Sequence, residues 1–368
     1  MARSTTLSRR PLYVAATVLF LCAGPARAQA PAPSPEASPA PEPAHVDVSG
    51  FVDTYYGYNF NKADPAFRTF DLQHNTFTFG LAEVAFAKAA TPQSRVGFRA
   101  DLDFGPTADL VAAFEPGSNG VEIYKHIQQA YVSVLTGKVT WDVGRFVTPI
   151  GAEVIESQDN WNYTRSILFG YAIPFNHTGL RATVAASDKV SFGGFLVNGW
   201  NNGSETDGGK TFIGSVTLKP SGKLTWILND IVGKEVKDGD TRNLFDTTAS
   251  LTVNDKLSLM ANFDYGKEGE VKWWGAAGYA KLQATPRWAL AGRFEYVDDS
   301  EGGFMLLGTT GESLTVTSDH LVGGGLKARL EYRTDFADQP VFPKDNGDLK
   351  KAQTTLTVGL VYSFGGKI

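Results

Sequence analysis

The chain has 368 residues, a formal charge of −5, and 42% hydrophobic and 12% aromatic residues. A modestly acidic balance without a basic cluster argues against nucleic-acid binding. No apolar run reaches the roughly 20 residues that a helix needs to cross a bilayer, which excludes a helical membrane protein.

Residues 1–28 read as a signal peptide. Arg3, Arg9 and Arg10 give a basic start, residues 12–21 a short apolar core, and Ala26-Arg27-Ala28 a cleavage site. Ser8-Arg9-Arg10 also hints at a twin-arginine route. That route carries folded proteins, and a membrane barrel cannot travel folded. Cys22 is the single cysteine. It follows Phe20-Leu21, where a lipobox needs small residues, and it leaves with the signal. The mature chain then has no thiol to mispair in an oxidising compartment. Loss of four arginines and no acid takes the formal charge from −5 to −9. Residues 29–45 are Ala/Pro-rich and cannot bury enough apolar surface to fold alone, so they read as a periplasmic linker.

From residue 46 to 368 the pattern is period two. Val46, Val48, Val52, Tyr56, Tyr58 and Phe60 share one parity; Asp47, Ser49, Asp53 and Asn59 share the other. Val96, Phe98, Ala100 and Leu102 oppose Arg95, Arg99, Asp101 and Asp103. Leu257, Leu259, Ala261 and Phe263 oppose Lys256, Ser258, Asn262 and Asp264. Trp288, Leu290, Phe294 and Tyr296 oppose Arg293 and Glu295. Leu326, Ala328, Leu330 and Tyr332 oppose Lys327, Arg329, Glu331, Arg333 and Asp335. The run 77–87 changes phase near Gly80, and Gly193-Gly194 and 323–325 leave gaps where a bulge fits.

Short turns at 91–93, 137–138, 187–189, 220–222, 254–255, 285–286 and 323–324 alternate with long polar connections. The long ones are 61–74, 105–124, 148–176, 201–210, 234–242, 267–272, 298–311 and 336–352. This gives about 16 strands, with tight turns on one rim and long loops on the other. Trp141, Trp226 and Trp288 lie near short turns, while Tyr58, Phe60, Phe263, Tyr265 and Tyr332 lie near long loops. Two aromatic belts are what a bilayer favours. A soluble all-β protein would have to bury the closely spaced charges of the polar parity, which is costly; a watery lumen accepts them. The expected fold is therefore all-β, a transmembrane antiparallel up-and-down β-barrel with short periplasmic turns and long extracellular loops.

Several runs carry a family likeness: VGFRADLDFG at 96–105, DVGRF at 142–146, PIGAE at 149–153, DNWNY at 159–163, PFNHTG at 174–179, VNGWN at 197–201 and LEYRTD at 330–335. They resemble the β-barrel porin-2 (OmpL-like) family of Gram-negative outer membranes, across nearly all of 46–364. The resemblance implies a porin-like barrel in that membrane and no particular solute. Thr357, Gly359, Tyr362 and Phe364 resemble the C-terminal signal read by the barrel-assembly machinery, although residues 365–368 follow the final aromatic. By analogy with porins of this strand number a homotrimer is plausible, although the sequence shows no assembly face.

Selectivity in such a pore comes from its width and from charges facing water. The candidate pore-lining residues are Arg95, Arg99, Asp101, Asp103, Arg293, Glu295, Lys327, Arg329, Glu331 and Arg333. Glu153, Glu156 and Asp159 stand on loop 148–176, which is expected to fold inward and narrow the lumen. Replacing Arg99 and Arg329 with Glu is expected to shift ion preference toward cations. The function read from this is passive diffusion of small hydrophilic solutes and ions, without an enzyme activity, a cofactor or a metal. Two alternatives stay open. One is a solute-specific channel, in which Trp161 and Tyr163 stack on a sugar. The other is a barrel hydrolase with a rim site drawn from Asp53, Asp71, His74 and His126, or a Ser–His pair. No G-x-S-x-G, H-E-x-x-H or Walker sequence appears.

Overall fold

The computed structural model describes residues 45–115 and 122–367; the segments read as signal peptide and most of the linker lie outside them. The chain order begins β1 (Asp47–Asn59), β2 (Thr76–Lys88), β3 (Val96–Phe104), helix α1 (Pro106–Ala113), β4 (Ile127–Thr136) and β5 (Val139–Val147). It continues with β6 (Asn176–Ser187), β7 (Val190–Val197), β8 (Thr211–Ser221), β9 (Leu224–Lys234), β10 (Thr241–Thr252) and β11 (Leu257–Glu268). Then come β12 (Val271–Thr285), β13 (Trp288–Asp298), β14 (Thr310–Gly323) and β15 (Leu326–Ala337). A small hairpin of β16 (Phe342–Pro343) and β17 (Leu349–Lys350) precedes β18 (Ala352–Lys367). All but β16 and β17 form one closed antiparallel barrel in which each strand pairs with its chain neighbours. Closure comes from β18 against β1, from Asn59↔Thr355 to Asp47↔Lys367. The residues after Phe364 therefore extend the closing strand. A closed ring leaves no unpaired edge, which a bilayer would penalise heavily.

Parity decides which side chains face out. Val52, Val143, Phe263, Leu330, Leu356 and Tyr362 are exposed on the outer wall. Trp141, Trp226 and Trp288 are exposed too, at 38–41%. Each indole N–H donates to a hydroxyl nearby, on Thr136, Thr247 and Ser318. The phase change at Gly80 is a register shift: Asp53 pairs Leu81 while Thr54 pairs Phe79, so Gly80 is the extra residue. A second shift falls between Leu321 and Gly323. Gly193-Gly194 holds no bulge; its ladder is regular, and a Cβ on Gly193 would stand 3.0 Å from the Phe195 ring. The expected long connection at 267–272 is a two-residue turn, because the ladder continues through Lys267↔Lys272 and Glu268↔Val271. Gly269, at φ +59°, makes that turn.

The apolar core sits inside the barrel. Ile150, Ile155, Tyr163, Ile167, Leu168, Phe169, Ile173 and Phe175 come from the segment between β5 and β6. They pack with inward residues such as Phe51, Leu81, Phe146, Ile213, Leu244, Trp273 and Val297.

Candidate functional site

The segment between β5 and β6 leaves the wall through a neck closed by Thr148 N donating to Phe175 O at 3.0 Å. Irregular backbone inside a barrel needs partners for its N–H and C=O groups. The polar parity of the wall supplies them. Asn229 on β9 donates to Pro149 O, and Gly151 N donates to Asp246 on β10. On β13, Arg293 pairs with Glu153 at 2.5 Å and Glu295 accepts from Ile167 N at 2.8 Å. On β15, Arg329 donates to the carbonyls of Ser157, Asn160 and Trp161, and Arg333 to that of Arg165. Glu331 accepts from the backbone N–H groups of Tyr163 and Thr164 at 2.6 and 3.1 Å. Tyr163 donates its hydroxyl to Asp53 on β1 at 2.7 Å. Its ring lies over Gly359 on β18, where a Cβ would stand 2.6 Å from it. The glycine of the C-terminal pattern thus makes room for the loop.

These anchors sort the charges singled out in the sequence. Arg293, Arg329, Glu331 and Arg333 are each 1% exposed, Glu295 is 0% and Glu153 7%. They face inward but lie beneath the loop, so they hold it instead of meeting solvent. Asp101 and Asp103 are also buried. Arg95 stands before β3 at a short turn, exposed and off the strand. The water-accessible charges are Arg99, whose side chain is 41% exposed, with Asp159 exposed and Glu156 and Lys327 half-buried. Opposite the loop, Arg181 on β6 pairs with Asp142 at 2.8 Å and covers the rings of Tyr131 and Phe146. Glu83, Asp142 and Arg181 escaped the sequence reading; strict alternation resumed after Gly80 would have placed Glu83 on the inward parity with Leu81 and Ala85.

The long-loop end is partly capped. Phe70, Phe169 and Phe175 contact one another, and Phe114, just past α1, packs edge-on against Tyr171 and Phe175. Phe304 stacks on Trp273 at 3.5 Å, with Arg242 over it. Burial raises the Asp299 carboxyl above its usual range, while the backbone N–H groups of Gly308, Met305 and Leu307 that donate to it pull it back. Arg68, from the β1–β2 loop, has a fully buried guanidinium shared by Asp71 at 2.6 Å and Asp335 at 2.8 Å. Truncating one member of such a pair strands the others. Arg68→Ala is therefore expected to cost about 3–5 kcal/mol, read as a lower urea midpoint for unfolding of the barrel.

The residues considered for a hydrolase do not converge. Asp53 is taken by Tyr163 and Asp71 by Arg68. His74 accepts from Asn59 N and packs on Tyr58, and His126 contacts the Asp103 carbonyl. Ser318 and His320 do meet, at 3.0 Å, but on the exposed outer wall beside Trp288.

Residues 45–364 match the family described as "Putative beta-barrel porin-2, OmpL-like". The chain belongs to this family. No curated protein matches it. Among solved structures, this porin-family barrel is similar to an anion-selective porin from Comamonas acidovorans, with 12% identity and a TM-score of 0.60 over 87% of this chain and 99% of that one. OmpF from Salmonella typhi, in a complex with daunomycin, gives 12% identity and 0.59 over 87% and 97%. The trimer form of OmpT from Vibrio cholerae gives 12% and 0.58 over 87% and 99%. At this identity the likeness is one of fold: a sixteen-strand porin barrel.

Proposed function

We propose that this barrel is an outer-membrane diffusion channel of Gram-negative bacteria for small hydrophilic solutes and ions. The observation that carries the reading is the division of the lumen by the segment between β5 and β6. One wall, from β9 through β15 and on to β18 and β1, is tied to the loop by side chains. The other, from β2 to β8, meets the loop through apolar packing from residues such as Leu81, Phe146 and Ile213 and carries fewer polar ties to it, so it borders the loop's looser edge. The solute path runs along that edge, between Glu156 and Asp159 on the loop and Arg99, Tyr131 and Arg181 on the wall. Charges of both signs on opposite sides set a field across the path, which favours small polar solutes over apolar ones. The barrel performs no reaction in this reading. Tyr163 is buried over Gly359 and leaves Trp161 without an aromatic partner for a sugar, which favours general diffusion over a sugar-specific channel. OmpT's trimer form makes a homotrimer the assembly to test.

The test is single-channel recording of the refolded protein in a planar bilayer under a salt gradient. Stepwise conductance is expected, without saturation by any one solute. Silence from folded protein would overturn the reading, and saturation with block by one solute would replace it with a specific channel.

A further inference from the structure

We propose that the short-turn end of the lumen is an anion-collecting vestibule. Inward lysines there, Lys189, Lys219, Lys223, Lys256, Lys281 and Lys327, draw small oxyanions such as phosphate or a carboxylate into the barrel. The proposal rests on the channel reading and adds the sign and chemistry of its solute.

The ladder fixes where these side chains point. Lys219 shares the parity of Ile213 on β8, which lies in the inner core. Its N–H donates to Lys189 O at 2.7 Å, one rung beyond Val190↔Leu218, so Lys189 stands opposite it on the same face. Thr252 N donates to Lys223 O, one rung beyond Leu251↔Leu224, and Thr252 shares the parity of buried Leu244 and Asp246. Gln283 N donates to Lys256 O in the same way, and Gln283 and Lys281 share the parity of buried Ala277 and Tyr279 on β12. Lys327 on β15 donates to Gln158 O of the inward loop at 3.2 Å. These lysines therefore face the lumen and not the lipid headgroups. The first four are exposed, and Lys281 and Lys327 are half-buried.

The acids at this end do not balance them. Asp142 on β5 and Asp319 on β14 are each held by an arginine, Arg181 at 2.8 Å and Arg329 at 2.7 Å. Asp159, beside Gln158 on the loop, is exposed and offsets one lysine. Among the described residues, none of the six lysines is in an ion pair; Lys223 and Lys327 donate to backbone carbonyls. The long-loop end differs: Arg68 has Asp71 at 2.6 Å, Arg242 has Glu268 at 2.7 Å and Lys272 has Glu301 at 2.8 Å.

Like charges opposite each other on one face of a sheet destabilise it. Lys189 opposite Lys219 thus costs the fold something and gives it no contact in return. Its use lies in the field. A water-filled passage lined by one sign of charge, with low-dielectric walls, focuses that field and concentrates the opposite ion. Basic rings are how a pore admits anions and phosphate. Lysine also suits passage: its hydrated point charge attracts an oxyanion without the two-pronged grip of a guanidinium, so the ion is released again.

The test pairs two measurements on the refolded full barrel: its reversal potential in a planar bilayer under a KCl gradient, and calorimetric titration with inorganic phosphate in non-ionic detergent. A reversal potential on the chloride side and saturable phosphate heat are expected. The double variant Lys189→Gln/Lys219→Gln is expected to lower the chloride-to-potassium permeability ratio severalfold and to lose most of the heat. It should fold at least as well as the wild type, since it removes a like-charge contact. Lys237→Gln, in the exposed β9–β10 loop, is expected to change neither readout. Conductance with a preference for cations or for neither ion would overturn the proposal and leave the channel reading standing. Heat and selectivity that survive in the double variant would overturn the assignment to these lysines. Phosphate heat that depends on them in a folded but silent barrel would overturn the channel reading and support the site, and silence without that heat would overturn both.

Discussion

Removing residues 151–165 raises the single-channel conductance severalfold. The expectation rests on where those residues sit. They carry the partners of Arg293, Arg329, Glu331 and Asp53, so they lie across the lumen and not above it. The barrel should survive the deletion. Its ladder closes without the loop, through β18 on β1. The wall charges also retain partners of their own: Arg329 with Asp319 at 2.7 Å, and Arg333 with Asp335 at 2.7 Å and Glu295 at 3.4 Å. Once the loop is gone these groups gain water, which lowers their desolvation cost. The measurement is the conductance of the deletion variant in a planar bilayer, with heat-modifiable gel mobility as the check on folding. Unchanged conductance from folded protein would mean that the solute path avoids the loop, and the proposed route along β2–β8 would fail with it.

The strand count was legible because two independent patterns agree. Period-two alternation marks each strand, and short turns alternating with long loops mark their order. Where one pattern stood alone the reading slipped. At 267–272 polar composition suggested a loop, yet cross-strand pairing continues through Lys267 and Lys272, since polar residues are at no disadvantage in a ladder beyond the apolar band. Parity also showed that Arg293, Arg329 and Arg333 point inward. It could not show that the loop covers them, because that depends on the angular position of each strand around the ring. Arg99 and Arg329 look equivalent in sequence, as alternating arginines beside acids. One stands on β3 at the looser edge of the loop and the other on β15 beneath it. The mouth was hidden for another reason. Phe67, Phe70 and Phe114 lie in stretches that read as polar loops, and only their convergence on Tyr171, Phe169 and Phe175 makes them a cluster.

That difference between the two arginines separates selectivity from stability. Arg99→Glu is expected to move the permeability ratio toward cations by up to about tenfold, because a two-unit change of charge at a half-wet site is worth a kcal/mol or more at contact range. Its side chain is 41% exposed, and its neighbours Asp101, Glu83 and Asp103 are acidic, so the new carboxylate deepens an existing negative region. Some stability is lost with its bonds to buried Asp101, but Gln129 still donates to Asp101 and the far end of the side chain is already in water, so the loss is expected to stay below that at Arg329. Arg329→Glu is expected to behave differently. Arg329 has no exposed side-chain surface, pairs with Asp319, and donates to three loop carbonyls. Glu at that place removes every one of those donors and sets a second buried carboxylate beside Asp319. The cost is expected to reach about 3–5 kcal/mol, as for other broken buried pairs, and to appear as a lower unfolding midpoint. Reversal potentials and urea midpoints measured on both variants decide the matter. Equal shifts in selectivity with no loss of stability would place Arg329 in the water path and dissolve the distinction between the anchored wall and the open one. A clearly larger stability loss in Arg329→Glu, with a selectivity shift confined to Arg99→Glu, would fix the solute path on the β2–β8 side of the loop.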